Sequence, residues 1–439
     1  MPLKIGIRKE DKNIWERRAP LTPEQVRALR ADGLAVAVQP SAHRTFKDQT
    51  YVDAGATIQK ELADCQVVFA VKEIPLQHLL PNRTYAFFSH TVKGQHHNMP
   101  MLQRMLDLKC TLIDYEKVTD DQGRRLVFFG RHAGLAGMLD SLWALGRRLE
   151  HEGLAGPFSA LQVAHAYPDL EAARAAVRAA GERLAQEGLP PGLGPLAFGF
   201  TGYGNVSRGA QEIFDLLPHR VVQPHELSQA ASVGGARELV KVVFREEHMV
   251  TPLAGAFELE DYFQHPARYR GDFARFVPHL HVLINCIYWA PQFPRLVTRD
   301  LLHGLYGAGA RPRLRVIGDI SCDIEGAIEC TLETTDPGNP VFTYLVEDDE
   351  IVAGVEGHGP VVLAVDNLPC ELPLEASRDF GQALEPFVPA IARADYSAPY
   401  DSLALPPEIK RAVIVHQGQL APAYAYLQDF LNGKEGGAL

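Results

Sequence analysis

Apolar residues recur along the chain in short unbroken runs, separated by stretches in which they return every three or four positions. "LKIGI" (3–7) predicts a strand, and "LTPEQVRALRADG" (21–33) predicts a helix with Thr22 as N-cap, Pro23 in the first turn and Gly33 as the stop. "LAVAVQP", "CQVVFAVK", "TYAFFSH" and "CTLIDYE" read as further strands, with "MPMLQRMLDLK" (99–109) as a helix between the last two. Strands apolar on both faces, alternating with helices, indicate a parallel sheet covered on both sides.

A long helix is predicted over "AGLAGMLDSLWALGRRLEHEG" (133–153), with a crossover to another domain, and a second over 169–188. The breaker-rich "LPPGLGP" (189–195) then precedes "LAFGFTGYGNVSRGAQEIFDLL", which reads as strand, glycine turn and amphipathic helix. Further strands are predicted at 219–223, 281–289, 313–321 and 360–368, followed by helices in "LPLEASRDFGQALEPFVPAIARA" (372–394) and near the C-terminus. The fold class is therefore α/β, with two domains built on parallel sheets.

Composition narrows the function. At 439 residues, 46% hydrophobic and 22% charged, the chain has the balance of a folded enzyme of two domains. Its 43 basic and 54 acidic residues give a net charge of −11, which supplies no global field for nucleic acid or an anionic membrane. The N-terminus is charged throughout, and no run approaches the ~20 apolar residues needed to cross a bilayer. A cytoplasmic location is expected. The six cysteines form no C-x-x-C and the seventeen histidines no H-E-x-x-H, so reduced thiols and no metal site are expected.

The glycine turn carries the first chemical signal. Gly202 and Gly204 match the first two places of G-x-G-x-x-G, Ser207 takes the third, and Gly209 follows two residues on. Such a turn lets a pyrophosphate approach the backbone at a helix N-terminus. His225 falls about where an NAD enzyme places its ribose-reading acid, with Glu226 next and Arg237 beyond. A histidine or arginine tolerates a 2′-phosphate, so NADP(H) is favoured and NAD(H) remains possible; a register in which Glu226 is the reader reverses that preference.

The second signal is a pair of ionisable strand ends. Lys72, beside Glu73, and His90 each close an apolar run, and ligands of parallel sheets gather at carboxyl ends of strands. Either residue alone also fits a solvent-facing terminus. Arg17, Arg18, Arg124 and Arg125 lie near loop and strand boundaries and suit a dicarboxylate, although composition does not choose among them.

"GIRKEDKNIWERRAPLTP", "VKEIP", "YAFFSHT", "DYEKVTDDQGRRLVFFGRHAGLAGM", "FTGYGNVSRGAQEIF", "PHEL", "INCIYW", "GDIS" and "VDNLPCELPLEAS" resemble the lysine–2-oxoglutarate reductase half of bifunctional aminoadipic semialdehyde synthase and the lysine-forming saccharopine dehydrogenases. Alanine dehydrogenase and the transhydrogenase nucleotide-binding subunit look like more distant relatives. The resemblance implies two Rossmann-like domains, a substrate domain at 1–134 plus 366–439 and a dinucleotide domain at 135–365, and an active site in the cleft between them that closes by a hinge. It implies NAD(P)H-dependent condensation of lysine with 2-oxoglutarate to saccharopine. Lys72 and His90 would be the acid–base pair, with Glu73 and Glu116 opposing depression of the lysine pKa. Arg18 and Arg125 would bind substrate carboxylates, with Phe129 lining the pocket and Ser321 at the substrate end of the cofactor. Gly202, Gly204, Asn205, Val206, His225, Tyr288, Ile320, Asp366, Asn367 and Leu368 would hold the nucleotide. Because the chain ends near 439, a separate glutamate-forming saccharopine dehydrogenase is an expected partner. Another amino-acid dehydrogenase and a non-catalytic nucleotide-binding homologue are the competing expectations.

Overall fold

The computed structural model describes residues 3–433, residue 234 excepted. The chain divides into two compact units, Met1–Phe129 with Pro373–Leu439, and Gly130–Leu372. The first unit opens with β1 (Lys4–Ile7), α1 (Pro23–Ala31), β2 (Ala35–Val38), α2 (Asp48–Asp53) and β3 (Thr57–Ile58). It continues with β4 (Val67–Phe69), β5 (Thr84–Phe87), α3 (Met99–Asp107) and β6 (Thr111–Asp114). The α1 start is the one its sequence predicts: the Thr22 hydroxyl accepts from the Glu24 N–H at 3.3 Å, while Gln25 accepts from the Thr22 N–H at 3.1 Å.

The second unit begins with α4 (Gly130–His151) and α5 (Leu170–Glu187), then β7 (Ala197–Thr201), α6 (Asn205–Phe214), β8 (His219–Val221) and β9 (Leu239–Phe244). A separate antiparallel ribbon, β10 (Val250–Pro252) with β11 (Tyr269–Gly271), precedes β12 (Val282–Asn285) and β13 (Val316–Asp319). The last strands here are β14 (Val341–Leu345), β15 (Glu350–Ala353) and β16 (Val361–Leu363). The sheet order is β15-β14-β16-β13-β12-β7-β9-β8, parallel except where β14 pairs with β15 and β16. Strand β9 is absent from the sequence-based expectation. Lys241 interrupts its apolar run "LVKVVF", and the strand buries that lysine by pairing Nζ with Asp215 at 2.5 Å.

After Pro373 the chain returns to the first sheet. Helices form at Pro373–Leu384, Val388–Arg393 and, near the C-terminus, Leu427–Leu431, as expected, while β17 (Val413–His416) and β18 (Gln419–Leu420) are strands that the sequence pattern does not predict. β17 pairs antiparallel with β6, giving the order β18-β17-β6-β5-β4-β1-β2-β3. Among the described residues no helix is long and apolar enough to cross a membrane.

Two contacts in the second unit limit its sequence. A Cβ on Gly134 of α4 would lie 1.9 Å from the Val206 carbonyl oxygen, and one on Gly209 of α6 would lie 2.1 Å from that of Arg131. Gly209 thus serves backbone-to-backbone packing of α4 on α6. Deeper in α4, Asp140 accepts the Ala164 N–H at 2.7 Å, and its carboxyl group also hydrogen-bonds to that of Glu371, which lies 3.3 Å from His165 Nδ1. Burial pushes Glu371 up to about 7, and burial with the Glu371 charge pushes Asp140 well above the carboxylate range.

Gly209→Ala is expected to cost about 3 kcal/mol in urea unfolding because backbone faces backbone, whereas Gly204→Ala, whose Cβ meets nothing within 4 Å, stays within about 1 kcal/mol. The raised Glu371 pKa means that the unfolded chain loses this proton first. Its share of stability is therefore whole below pH 4.5 and lost as pH rises through about 7. Melting curves of Glu371→Gln should accordingly gain on the native protein between pH 5 and 8, by about 1–3 kcal/mol at the upper end.

Candidate functional site

In the first unit the carboxyl ends of β1, β4 and β5 bring a group of charged side chains together. Lys72 and Glu73 follow β4, and His90 follows the neighbouring parallel strand β5. His90 Nδ1 lies 2.5 Å from Glu73 Oε1, and Lys12 Nζ lies 3.3 Å from Glu73 Oε2. Burial alone would raise the Glu73 pKa, but the His90 hydrogen bond and charge, with Lys12 and Lys72, hold it at about 2. Glu73 is therefore ionised at neutral pH and accepts from Nδ1–H, so Nε2 is the ring nitrogen left for proton exchange. His90 takes φ 47°, a left-handed backbone rare for non-glycine residues, and its carbonyl accepts from Asn98 Nδ2 at 3.2 Å. Its ring stacks on Phe88 at 6.2 Å.

The backbone entering Lys72 is fixed by Glu10, whose carboxylate accepts the Val71 and Lys72 N–H groups at 2.8 and 3.0 Å. Burial, reinforced by the Glu16 charge, raises the Glu10 pKa to about 7. The Lys72 ammonium is held below its ordinary pKa by burial, then by Arg18 and Lys12, with Glu73 and Glu16 opposing. Glu16, rather than the expected Glu116, is thus the second opposing carboxylate; Glu116 pairs with Arg125 instead. Arg18 is fully buried and engages Glu16 through Nε at 2.8 Å and Nη2 at 2.5 Å. Its guanidinium also lies 4.2 Å from the centre of the Phe129 ring, which stacks on Phe380 at 4.6 Å. Arg125 is exposed.

Glu10, Glu16, Lys12, Phe88 and Phe380 are members of this cluster that the sequence reading left out. A signal existed for two of them, since "RKED" and "WERR" place acids among the basic residues being considered. Nothing local marks Phe380, which reaches the cluster from the returning C-terminal segment. Behind it, Asp114 accepts the Ser89 hydroxyl, the Ser89 N–H at 3.2 Å and the Glu116 N–H at 2.8 Å, while burial lifts its pKa to about 6.

In the second unit Gly202 has φ +81°, and its N–H donates to the Phe244 carbonyl at 2.9 Å. Gly204 caps α6, and the space where its Cβ would stand is open, the arrangement that lets a phosphate reach the helix N-terminus. Asn205 is exposed, Val206 half-buried and Ser207 buried. The strand ends beneath are tied by a buried network in which Thr201 Oγ1 donates to Asn285 Oδ1 at 2.9 Å, Asn285 Nδ2 to Asp319 Oδ1 at 2.8 Å, and Thr331 Oγ1 to Asp319 Oδ2 at 2.6 Å. Burial raises the Asp319 pKa to about 6 despite those bonds.

The other cofactor candidates are spread out. Tyr288 and Asp366 are exposed, and Asn367 is half-buried. Ile320 and Leu368 turn side chains onto Gly137 of α4, as a Cβ there would lie 2.7 and 3.2 Å from them. Ser321 donates to the Ile287 carbonyl at 2.5 Å. His225 is exposed beside a cavity of about 430 Å³ that Gln223, His248, Arg275 and His279 also line. The Glu226 carboxylate turns back to the Gln223 N–H at 2.7 Å. Among the described residues no group of three or more His, Cys, Asp or Glu side chains could hold a metal ion.

Residues 6–136 match the family "Alanine dehydrogenase/PNT, N-terminal domain". The whole chain is 38% identical over 445 residues to the mitochondrial alpha-aminoadipic semialdehyde synthase of Bos taurus, covering 98% of this chain and 48% of that protein. The Arabidopsis thaliana alpha-aminoadipic semialdehyde synthase is also 38% identical, with 96% and 41% covered. The chain thus spans about half the length of these relatives. The saccharopine dehydrogenase [NAD(+), L-lysine-forming] of Yarrowia lipolytica is 28% identical, with 90% and 94% covered. Among solved structures, an L-alanine dehydrogenase superposes with TM-score 0.64 at 20% identity over 98% of this chain and all of that one. A transhydrogenase from Sinorhizobium meliloti gives 0.54 at 16%, with 96% and 99% covered. With two Rossmann-like sheets and the fold of alanine dehydrogenase, the chain is similar along nearly its whole length to alpha-aminoadipic semialdehyde synthase and, at lower identity, to a lysine-forming saccharopine dehydrogenase.

Proposed function

We propose that this protein is an NAD(P)-dependent oxidoreductase that condenses L-lysine with 2-oxoglutarate and reduces the imine to saccharopine, reversibly, with NADPH as the favoured reductant. The observation that carries the reading is the convergence of Lys72, Glu73 and His90 at the ends of two neighbouring parallel strands, with a buried arginine beside them. The relatives' names, and the 38% identity over nearly the whole chain, support it. The proposed compartment is the cytoplasm, and the proposed partner is a separate enzyme that takes saccharopine on to glutamate.

The condensation moves protons at each step before reduction. The lysine substrate must lose an ammonium proton to attack the ketone, and the carbinolamine hydroxyl must gain one to leave as water. His90 is assigned the first, through Nε2, with the Glu73 bond at Nδ1 in support. Lys72, with its pKa depressed, returns one to the departing hydroxyl more readily than an ordinary lysine would. Arg125 is assigned to a carboxylate of 2-oxoglutarate, and the Arg18 charge adds to the positive field while depressing Lys72. Phe88, Phe129 and Phe380 wall the group and lower its dielectric. The glycine turn would hold the dinucleotide pyrophosphate at the N-terminus of α6, and the nicotinamide supplies hydride when bound.

Mixing the protein with NADPH, 2-oxoglutarate and, in turn, lysine, ornithine, alanine or ammonia should give oxidation that depends on lysine; turnover only with another amine would sink the reading. Lys72→Met and His90→Gln are each expected to lower kcat at least ~100-fold with nucleotide binding retained. The pH midpoint for modification of Lys72 by an amine-directed reagent should lie below 10.5. Removing a neighbouring cation with Lys12→Met should raise that midpoint.

A further inference from the structure

The residue that distinguishes a ribose 2′-hydroxyl from a 2′-phosphate stands, in a dinucleotide-binding sheet, at the end of the strand beside the one that leads into the glycine turn. Chain order points to β8 for that strand and so to His225. The sheet is built otherwise. β9, not β8, lies against β7, with Ala197 opposite Val240 and Thr201 opposite Phe244. β8 is the edge strand and stops with Val221 opposite Lys241, three residues before β9 ends, or about 10 Å along the strand.

Arg245 is the first residue after β9. The Gly202 N–H donates to the carbonyl of Phe244 at 2.9 Å, so Arg245 starts beside the glycine turn. Its guanidinium carbon lies 5.2 Å from the centre of the Tyr203 ring, the residue between the two glycines. Both side chains are exposed, and among the described residues the Arg245 guanidinium forms no ion pair. Glu246, next in the chain, is engaged by the Tyr203 hydroxyl, and Glu226 is spent on its own turn.

We infer that Arg245, stacked on Tyr203, reads the 2′ position of the adenosine ribose and pairs with the 2′-phosphate of NADP(H), while His225 does not. The planar guanidinium matches a phosphate through two parallel N–H bonds, and the aromatic ring beneath fixes its plane. This deepens the nucleotide assignment made above and rests on it.

The test measures binding of 2′,5′-ADP and 5′-AMP to the full chain by calorimetry, alongside kcat/KM for NADPH and NADH. The native protein should prefer 2′,5′-ADP at least ~10-fold. Arg245→Ala should lower the 2′,5′-ADP to 5′-AMP affinity ratio, and the NADPH to NADH ratio, by ~30-fold, with Arg245→Lys between the two. Unchanged ratios in Arg245→Ala would overturn the assignment. So would loss of the preference in His225→Ala, or a native preference for 5′-AMP that Glu246→Gln abolishes, which makes Glu246 the reader. A native chain that binds neither probe fails one step earlier, at the nucleotide reading of the glycine turn itself, and removes both.

Discussion

Two parallel strands cannot be joined by a hairpin; the chain must cross over a sheet face between them, and every strand of the set then ends at the same edge. Both units obey this constraint, and their chemistry follows from it. The first collects Glu10, Lys72, Glu73 and His90 at the carboxyl edge of one sheet, and the second places the glycine turn above the ends of β7 and β12 in the other. The crossovers cover both faces, so the polar groups at these edges stand at the rim of an apolar core rather than on an open surface.

The two edges treat their polar groups differently. In the second unit, Thr201, Asn285, Asp319 and Thr331 satisfy one another in a neutral-to-anionic network with almost no exposure. It locks three strand ends and makes the platform under the turn rigid. In the first unit the groups are charged and only partly satisfied by neutral donors. Arg18 and Glu16 make a buried bidentate pair, and the remaining positive charge of Arg18 and Lys12 falls on Lys72. A pair of that kind contributes little net stability, since desolvation offsets most of its attraction. Its physical effect is the field it imposes on its neighbours.

Glycine is used at two levels in the nucleotide unit. Gly202 adopts a backbone conformation that side chains disfavour, and the open space at Gly204 leaves the helix N-terminus approachable. Gly209 and Gly134 let α4 and α6 touch along their backbones, which fixes the helix that presents the turn. Ser207 can therefore occupy the usual third glycine place, buried, because the close contact has moved to Gly209.

Continuous apolar runs with breakers between them determined the α/β class, most strands of both sheets, the α1 cap and the glycine turn, because each depends on neighbours a few residues away. The same runs end on Lys72 and His90, so the position of these two at strand ends is legible without the fold, whereas the meeting of both at the Glu73 carboxylate is not. Strand order was not legible. β9 carries a lysine whose burial depends on Asp215, β17 arrives about three hundred residues after its partner β6, and the Glu16 charge joins Glu73 in opposing the depression of the Lys72 pKa. Only the folded chain decides which strand stands beside β7, because hydrogen bonding between strands is satisfied equally well by any partner in register. The choice is made by crossovers and packing over the whole sheet.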